Sequence, residues 1–508
     1  MSALIESRFE KARLALEEQG ITLFDYQIEG VKWMIEHELN PNGIFQSTGG
    51  LLCDDPGLGK TLQTVALMMA NPVPKTLIVC PISLIEQWRL QIKKAWPEAK
   101  IQNNTGNGRL NNYRDIVNIG DHDVIITGYS QVWGTDSDQN YMKTILHSTE
   151  WGRVVLDECH IIRNKRSKVF QGCHDLKAKY RWGLSGTPLQ NKIDDLKSLF
   201  QFINIPHVFI VNNLDMLLER FIMRRNKDLV AEKYKNLKIN VLDVPFDTDK
   251  EREFYLKVEQ EVHTEYLKLI KEGDTPNMMH LFELLLRLRQ ATIHPNLVIK
   301  GLAKKFGVKK PQLWKGSSTK INKLMELFAN HEESDKSLVV CHYQEEIDQA
   351  RIYLSKAFPK LRIEVFNGGL SLEARNDLVR RCMKGEVDVL FMQIMAGGVG
   401  LNLQIFNKVF LLTPNWNPGN EIQAIARCHR IGQTRDVEVF KIVIRDEALE
   451  TCTIDERILE VQIEKRDLMA SSLNDDTFKF NEQFKNSNGL RAGGCGLTLK
   501  DMKKLLSK

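Results

Sequence analysis

The residues best suited to chemistry form the run Cys53-Asp54-Asp55-Pro56-Gly57-Leu58-Gly59-Lys60-Thr61. Directly after it, Leu62, Val65, Ala66 and Met69 recur at helical spacing, and Gly50-Leu51-Leu52-Cys53 before it reads as the end of a short buried strand. The glycines therefore sit in a strand-to-helix turn, the geometry of a phosphate cradle. Glycines let backbone N–H groups approach an anion, the helix N-terminus adds the positive end of its dipole, and Lys60 adds a full charge. The Thr61 hydroxyl is then placed to ligate Mg²⁺. Asp54 stands where the general phosphate-loop pattern has a glycine, so a plain surface turn is the competing reading.

A second constellation is Arg153-Val154-Val155-Leu156-Asp157-Glu158-Cys159-His160, an apolar strand that delivers two adjacent carboxylates at its C-terminal end. Ligands of open α/β sheets bind at that edge. Asp157 suits Mg²⁺, held directly or through water, and Glu158 suits the orientation of an attacking water. A strand that simply ends in polar turn residues is the bland alternative, weakened by the phosphate loop earlier in the same domain. Upstream, Tyr26 and Gln27 place an aromatic beside an amide that can stack on and hydrogen-bond a base, although each alone reads as packing. Ser185 and Thr187 add hydroxyls after the strand ending at Leu184; by themselves they are ordinary turn chemistry. Late in the chain, a helix over 420–430 would put Gln423, Arg427 and Arg430 at i, i+4 and i+7 on one face. Alone this is an exposed basic face; beside a phosphate site it suggests arginine fingers.

The elements that position these groups alternate between β-type and helical runs. Strands are expected at 76–80, 123–127 and 153–157, and again at 336–341, 362–366, 387–391 and 409–412, the signature of two parallel sheets. Between them helical runs dominate, with Leu281, Leu284, Leu285 and Leu288 forming a core stripe. The resulting division is 1–19, N-terminal helix; 20–215, nucleotide-binding lobe; 216–316, helical insert and linker; 317–450, second lobe; 451–508, C-terminal brace and tail. A length of 508 residues agrees with a multidomain chain, and a net charge of +5 decides nothing about nucleic acid. The basic stretch Ala303 to Lys310 reads equally as a nuclear-import or phosphate-contacting patch and as a solvated loop. Nine cysteines contain no Cys-x-x-Cys pair, so neither structural zinc nor a disulfide framework is expected. No apolar run is long enough for a bilayer, and no membrane partner is expected.

Taken in order, Leu23 to Gln27, Asp54 to Thr61, Asp157-Glu158-Cys159-His160, Leu184-Ser185-Gly186-Thr187-Pro188-Leu189-Gln190-Asn191, Ala396-Gly397-Gly398-Val399-Gly400-Leu401-Asn402-Leu403 and Arg427-Cys428-His429-Arg430-Ile431-Gly432-Gln433 resemble the Swi/Snf-type family of superfamily-two helicase-like ATPases. Cys80 to Leu84 with Trp88, Leu288-Arg289-Gln290 with His294-Pro295, and Trp416-Asn417-Pro418 join the match. The resemblance implies an α/β fold of two RecA-like parallel-sheet lobes with a helical insert and a C-terminal helical brace, and no appended bromodomain, chromodomain or RING module is expected. It implies that Tyr26 and Gln27 contact adenine; that Asp54, Asp55, Pro56, Gly57, Leu58, Gly59, Lys60 and Thr61 hold the phosphates of ATP; that Thr61 and Asp157 hold Mg²⁺ and Glu158 the water; and that Arg427 and Arg430, with Gln423 on their face, reach the γ-phosphate. The implied partner is double-stranded DNA, gripped through its phosphates with little sequence specificity, with nucleosomes or other DNA-bound proteins as cargo. Transcription regulation in a nucleus, the host's for a viral member, is the implied setting. The sequence departs from the family at Pro56, where methionine is usual, and at Asp25, which follows Phe24 where an arginine commonly precedes the Tyr-Gln pair by two residues. It departs again at Gln393-Ile394-Met395, where a hydroxyl and a basic residue are common, and at Thr413, where aspartate is frequent. None of these removes a hydrolysis group, but a missing base at Met395 bears on DNA grip. A strand-separating DNA or RNA helicase and a non-catalytic ATP-binding recruitment protein are the alternatives.

Overall fold

The computed structural model describes residues 2–40, 47–104, 122–135, 140–186, 193–271, 278–394, 401–473 and 506. The chain divides into two compact units, Met1–Ala231 and Glu232–Lys508. Each is built on a parallel sheet flanked by helices, the α/β organisation expected from the alternating pattern. Thr187 to Asn191, Gly273 to Asn277, Met395 to Gly400 and Leu497 to Leu505 lie outside the described residues.

In the first unit, helices α1 (Ser2–Glu18), α2 (Asp25–Leu39), α3 (Lys60–Ala70) and α4 (Ile85–Ala95) accompany the seven strands of its large sheet. These are β1 (Gly49–Leu52), β2 (Thr76–Cys80), β3 (Ile101–Asn104), β4 (Val124–Gly128), β5 (Glu150–Asp157), β6 (Lys177–Leu184) and β7 (Ile222–Met223). Their spatial order is β3-β4-β2-β5-β6-β1-β7, every pair parallel. Leu77, Ile78 and Val79 are fully buried, as are Val154, Val155 and Leu156. Burial on both faces explains why these strands read as continuous apolar runs rather than as alternation. Because β1, β6 and β5 are parallel neighbours, the chain leaves all three at one edge: at Cys53, at Ser185 and at Asp157.

A buried polar knot holds the opposite part of this sheet. Arg153 on β5 meets Glu38 at the end of α2 through two contacts of 2.6 Å, both side chains fully buried. The same carboxylate accepts from Trp182 Nε1 at 2.9 Å and from Asn71 Nδ2 at 2.5 Å, so α2, α3, β5 and β6 meet at one anion.

The second unit orders its strands as β8 (Leu237–Val244), β13 (Val437–Ile444), β12 (Lys408–Leu411), β9 (Ser337–Cys341), β11 (Val389–Gln393) and β10 (Ile363–Phe366), again all parallel. Strand β8 pairs with β13 along its whole length, in a stretch where the sequence signals only helix and linker. It is an edge strand with Leu237 and Ile239 exposed, so it lacks the uniform burial that marks the others. Helices α5 (Asp249–Lys271) and α6 (Met278–Ala291) pack on this sheet, and Leu281, Leu284, Leu285 and Leu288 enter its core as the stripe indicated. Helix α7 (Ile454–Leu473) begins in a net of bonds: Ile454 N donates to Tyr255 Oη at 3.0 Å, Asp455 meets Lys320 at 2.5 Å and Thr292 Oγ1 at 3.1 Å, and Arg457 meets Glu259 at 2.8 Å.

Candidate nucleotide site

The phosphate loop turns between β1 and α3 with Gly57 at φ 102° and Gly59 at φ 79°, left-handed conformations that cost glycine little. Its rising limb continues the sheet: Cys53 N donates to Met223 O at 2.7 Å and Asp55 N to Arg225 O at 2.9 Å. The Lys60 ammonium folds over the loop and donates to the carbonyls of Asp54 at 2.5 Å and Asp55 at 3.3 Å. Asp54, in the place of a glycine, is fully buried. Its carboxylate points into the wall of the loop, where Arg225 donates from Nε at 2.9 Å and from Nη2 at 2.6 Å, and Gln63 from Nε2 at 3.0 Å. The backbone of Asp54, not its side chain, is therefore its surface toward a ligand.

At the apex, the Leu58 carbonyl accepts from Tyr26 Oη at 3.0 Å, Gln27 Nε2 at 3.2 Å and Gln63 Nε2 at 3.4 Å. Gln27 Oε1 also accepts from Phe24 N at 3.1 Å, closing the start of α2. The two residues read as a base contact thus sit against the phosphate loop. Pro56 packs on Gly186, where an added Cβ would lie 2.7 Å from the proline Cγ; the strand end after β6 is shaped to the loop.

Asp157 ends β5, and its Oδ2 accepts from Trp88 Nε1 at 2.7 Å while Oδ1 accepts from Glu158 N at 3.0 Å. Tyr129 Oη donates to its carbonyl at 2.8 Å. Burial, and next the charge of Glu158, push the Asp157 carboxyl up to about 6, against the Trp88 bond and the nearby Lys60 charge. Glu158 adopts the left-handed conformation, φ 54° and ψ 49°, unusual for a residue with a Cβ. His160 Nδ1 lies 3.2 Å from both Glu158 Oε2 and Ser185 Oγ, linking the acidic strand end to the strand end beside it. Thr61 lies half-buried in the first turn of α3. The Thr61 hydroxyl and the Asp157 carboxylate are hard oxygen donors, the kind Mg²⁺ takes one or two of while keeping waters and phosphate oxygens as its other ligands. The residues present fit that ion.

In the second unit the arginine segment differs from the helix expected over 420–430. The helix spans Pro418–Ile425 and stops before both arginines. Past Ala426 the bonding tightens, with Arg427 N donating to Ala424 O at 3.2 Å and Arg430 N to Cys428 O at 3.1 Å, while Cys428 is drawn fully into the core and Gly432 turns at φ 95°. Gln423, Arg427 and Arg430 are therefore not one helix face. Arg427 is buried and its carbonyl accepts from Leu403 N at 3.1 Å. Arg430 Nη1 donates to Leu401 O at 3.2 Å, and burial lowers the pKa of its guanidinium. Both arginines are thus tied to the segment that follows the second glycine-rich run.

Sequence reasoning assigned no role to Arg225, Tyr129 or the Trp88 indole. An arginine pair at 224–225 directly after an apolar dipeptide was the available signal for the first, since a carboxylate in a glycine's place requires a cation.

A phosphate loop and an acidic strand end on one edge of a parallel sheet, followed by a second parallel-sheet unit, define a helicase-like nucleotide-binding protein. The chain matches the SNF2-related domain over residues 26–210 and the helicase conserved C-terminal domain over 319–432. It belongs to the Swi/Snf-type family of helicase-like ATPases. Among similar proteins is the probable global transactivator of Orgyia pseudotsugata multicapsid polyhedrosis virus, 27% identical over 84% of this chain and 87% of that protein. Another is the mouse (Mus musculus) SWI/SNF-related matrix-associated actin-dependent regulator of chromatin subfamily A member 1, 28% identical over 87% of this chain and 42% of that protein. The solved Sulfolobus solfataricus SWI2/SNF2 ATPase core in complex with dsDNA is 24% identical, with a TM-score of 0.39, covering 96% of this chain and 97% of that one. The chain spans about half the length of many of the curated relatives it matches.

Proposed function

We propose that the chain is a Mg²⁺-dependent ATPase stimulated by double-stranded DNA, which moves along the duplex and displaces or remodels proteins bound to it. The observation that carries this reading is the single sheet edge of the first unit, where the clamped loop with Lys60 and the Asp157-Glu158 strand end emerge one strand apart. In this reading the backbone of residues 54–61 and Lys60 bind the phosphates, with Tyr26 and Gln27 on the base side. Thr61 and Asp157 hold Mg²⁺, which would neutralise phosphate charge. Glu158, oriented by its left-handed backbone and by His160, takes the proton of the attacking water. Gln423, Arg427 and Arg430 are assigned to the γ-phosphate, where guanidinium groups stabilise the charge that develops during transfer. The grip on DNA is through phosphates, so it is weak in sequence preference and steep in salt. Nucleosomes or other DNA-bound proteins are the proposed cargo, and transcription control in the nucleus the proposed setting, as the names of the relatives suggest.

The test is phosphate release by the full chain with and without duplex DNA at two salt concentrations, beside Lys60→Ala, Glu158→Gln and Arg430→Ala. Stimulation by duplex above single strands, lost in the three variants, is the expected outcome. Equal rates in wild type and Lys60→Ala would reject it, and a displaced strand in a fork-unwinding assay would turn the reading to a helicase.

A further inference from the structure

Arg225 lies beyond the motifs, far along the chain from the loop it holds, and is buried. Its guanidinium does two things at once. Toward the phosphate loop it forms the two-point pair with the fully buried Asp54, and Gln63 bonds both partners, donating to Asp54 Oδ2 at 3.0 Å and accepting from Arg225 Nη2 at 2.8 Å. Toward the start of α2 it donates to the Tyr26 carbonyl and lies 5.4 Å from the centre of the Tyr26 ring, within cation–π range. Helix α2 makes room for it: a Cβ at Gly30 would overlap the Gln63 amide and come within 2.6 Å of Arg225 Nη2. The backbone follows suit, since the Arg225 carbonyl accepts from Asp55 N.

The carbonyls of Asp54 and Asp55 are those on which Lys60 rests, and the Leu58 carbonyl is where Tyr26 and Gln27 dock. Lys60 and Tyr26 thus each share a bond with Asp54 or Arg225, and the Leu58 carbonyl on which Gln27 docks is joined to the pair through Gln63. We propose that Arg225 and Asp54 are positioning residues of the nucleotide site, a buried pair that sets the phosphate loop and the Tyr26-Gln27 turn at a fixed separation. The inference rests on the ATP-site reading above. Neither residue need touch ATP: a bidentate guanidinium–carboxylate pair defines distance and plane together, which a glycine in Asp54's place would not.

The pair's contributions to stability and to positioning separate by substitution. Arg225→Gln alone leaves the Asp54 charge buried and unmatched, so a lowered melting temperature is expected whatever the pair does for catalysis. Asp54→Asn/Arg225→Gln removes both charges, and Arg225→Lys keeps the charge but loses the two-point geometry. Phosphate release is measured on the full chain with saturating duplex DNA over a range of ATP, with melting temperatures alongside. The double variant should melt close to wild type yet have kcat/KM for ATP about tenfold lower, most of it in KM, because Asp157 and Glu158 are untouched while the binding cradle is displaced. Arg225→Lys should raise KM about threefold or more with kcat held within about twofold. A double variant that recovers both its melting temperature and kcat/KM overturns the proposal, as does wild-type KM in Arg225→Lys, which decides the matter should the double variant fail to fold. Wild-type protein that releases no phosphate rejects the ATPase reading itself, whereas active wild type with equally active variants rejects only the positioning role.

Discussion

Replacing Glu38 by glutamine changes one oxygen into an NH₂ group, yet the geometry makes it a severe substitution. One carboxylate oxygen accepts from Arg153 Nε at 2.6 Å and Trp182 Nε1 at 2.9 Å; the other accepts from Arg153 Nη2 at 2.6 Å and Asn71 Nδ2 at 2.5 Å. All four neighbours are donors, so whichever way the amide is set its NH₂ faces two N–H groups. The guanidinium also loses its counter-charge at a site with no solvent exposure on either side chain. Breaking one side of a buried pair costs about 3–5 kcal/mol, and the displaced donors add to it. Such a loss is a large share of the stability of an ordinary domain, so the first unit should melt well below its wild-type temperature. Urea unfolding followed by fluorescence and by proteolysis of each unit would show the first unit's transition moving to lower urea in Glu38→Gln, with partial recovery in the apolar pair Glu38→Leu/Arg153→Met, which removes the unmatched charge but leaves the Trp182 and Asn71 donors without their acceptor. A Glu38→Gln protein destabilised by less than about 1 kcal/mol would refute the reasoning, because it would mean that the four donors find other acceptors within the core.

Glu251 is buried, its carboxyl oxygens sharing the Thr319 N–H and accepting from the Thr319 hydroxyl, and burial pushes its carboxyl from the ordinary 4.5 up to about 7. A carboxyl raised on folding contributes stability that is complete below pH 4.5 and lost as pH rises through 7, so wild type should lose about 3 kcal/mol relative to Glu251→Gln between those limits, as read from urea midpoints. Gly49→Ala should unfold the first unit, since the added methyl overlaps the Arg181 backbone on the neighbouring strand; the far-ultraviolet circular dichroism melt reads it. Trp88→Phe removes the 2.7 Å donor from Asp157 and should lower ATP turnover about tenfold while the melting temperature falls only slightly, with more Mg²⁺ needed for half-maximal rate.

What the sequence revealed followed from burial and from glycine. The central strands of both sheets are apolar from end to end because helices cover both faces, and that run is visible without any structure. Strand β8 was not visible, because an edge strand with Leu237 and Ile239 exposed carries no such run and stands in a stretch dominated by helices. Gly57 and Gly59 announced the phosphate turn because few other residues tolerate its backbone. The helix expected over 420–430 is shorter in the structure: Gln423 and Arg427 have helical spacing in the sequence, but the chain leaves the helix at Ile425 as Cys428 is buried, a tertiary demand with no local signal.

Asp54 shows the limit most clearly. As one letter in a glycine-rich run it reads as a departure from the phosphate-loop pattern and as a candidate ligand contact. In the folded unit it is an anion sealed from solvent, and an anion so placed obliges the chain to supply a cation, which it does 171 residues later through Arg225. The chemistry-bearing groups of such a site are legible because their types and spacing are set by the ligand. The groups that hold them are set by one another, through contacts between distant parts of the chain, and only the fold brings these together. An exception to a motif is therefore informative in a specific way: a charged residue where the backbone alone would serve implies a buried partner, and Arg224-Arg225, an arginine pair directly after an apolar run, was the place to look for it.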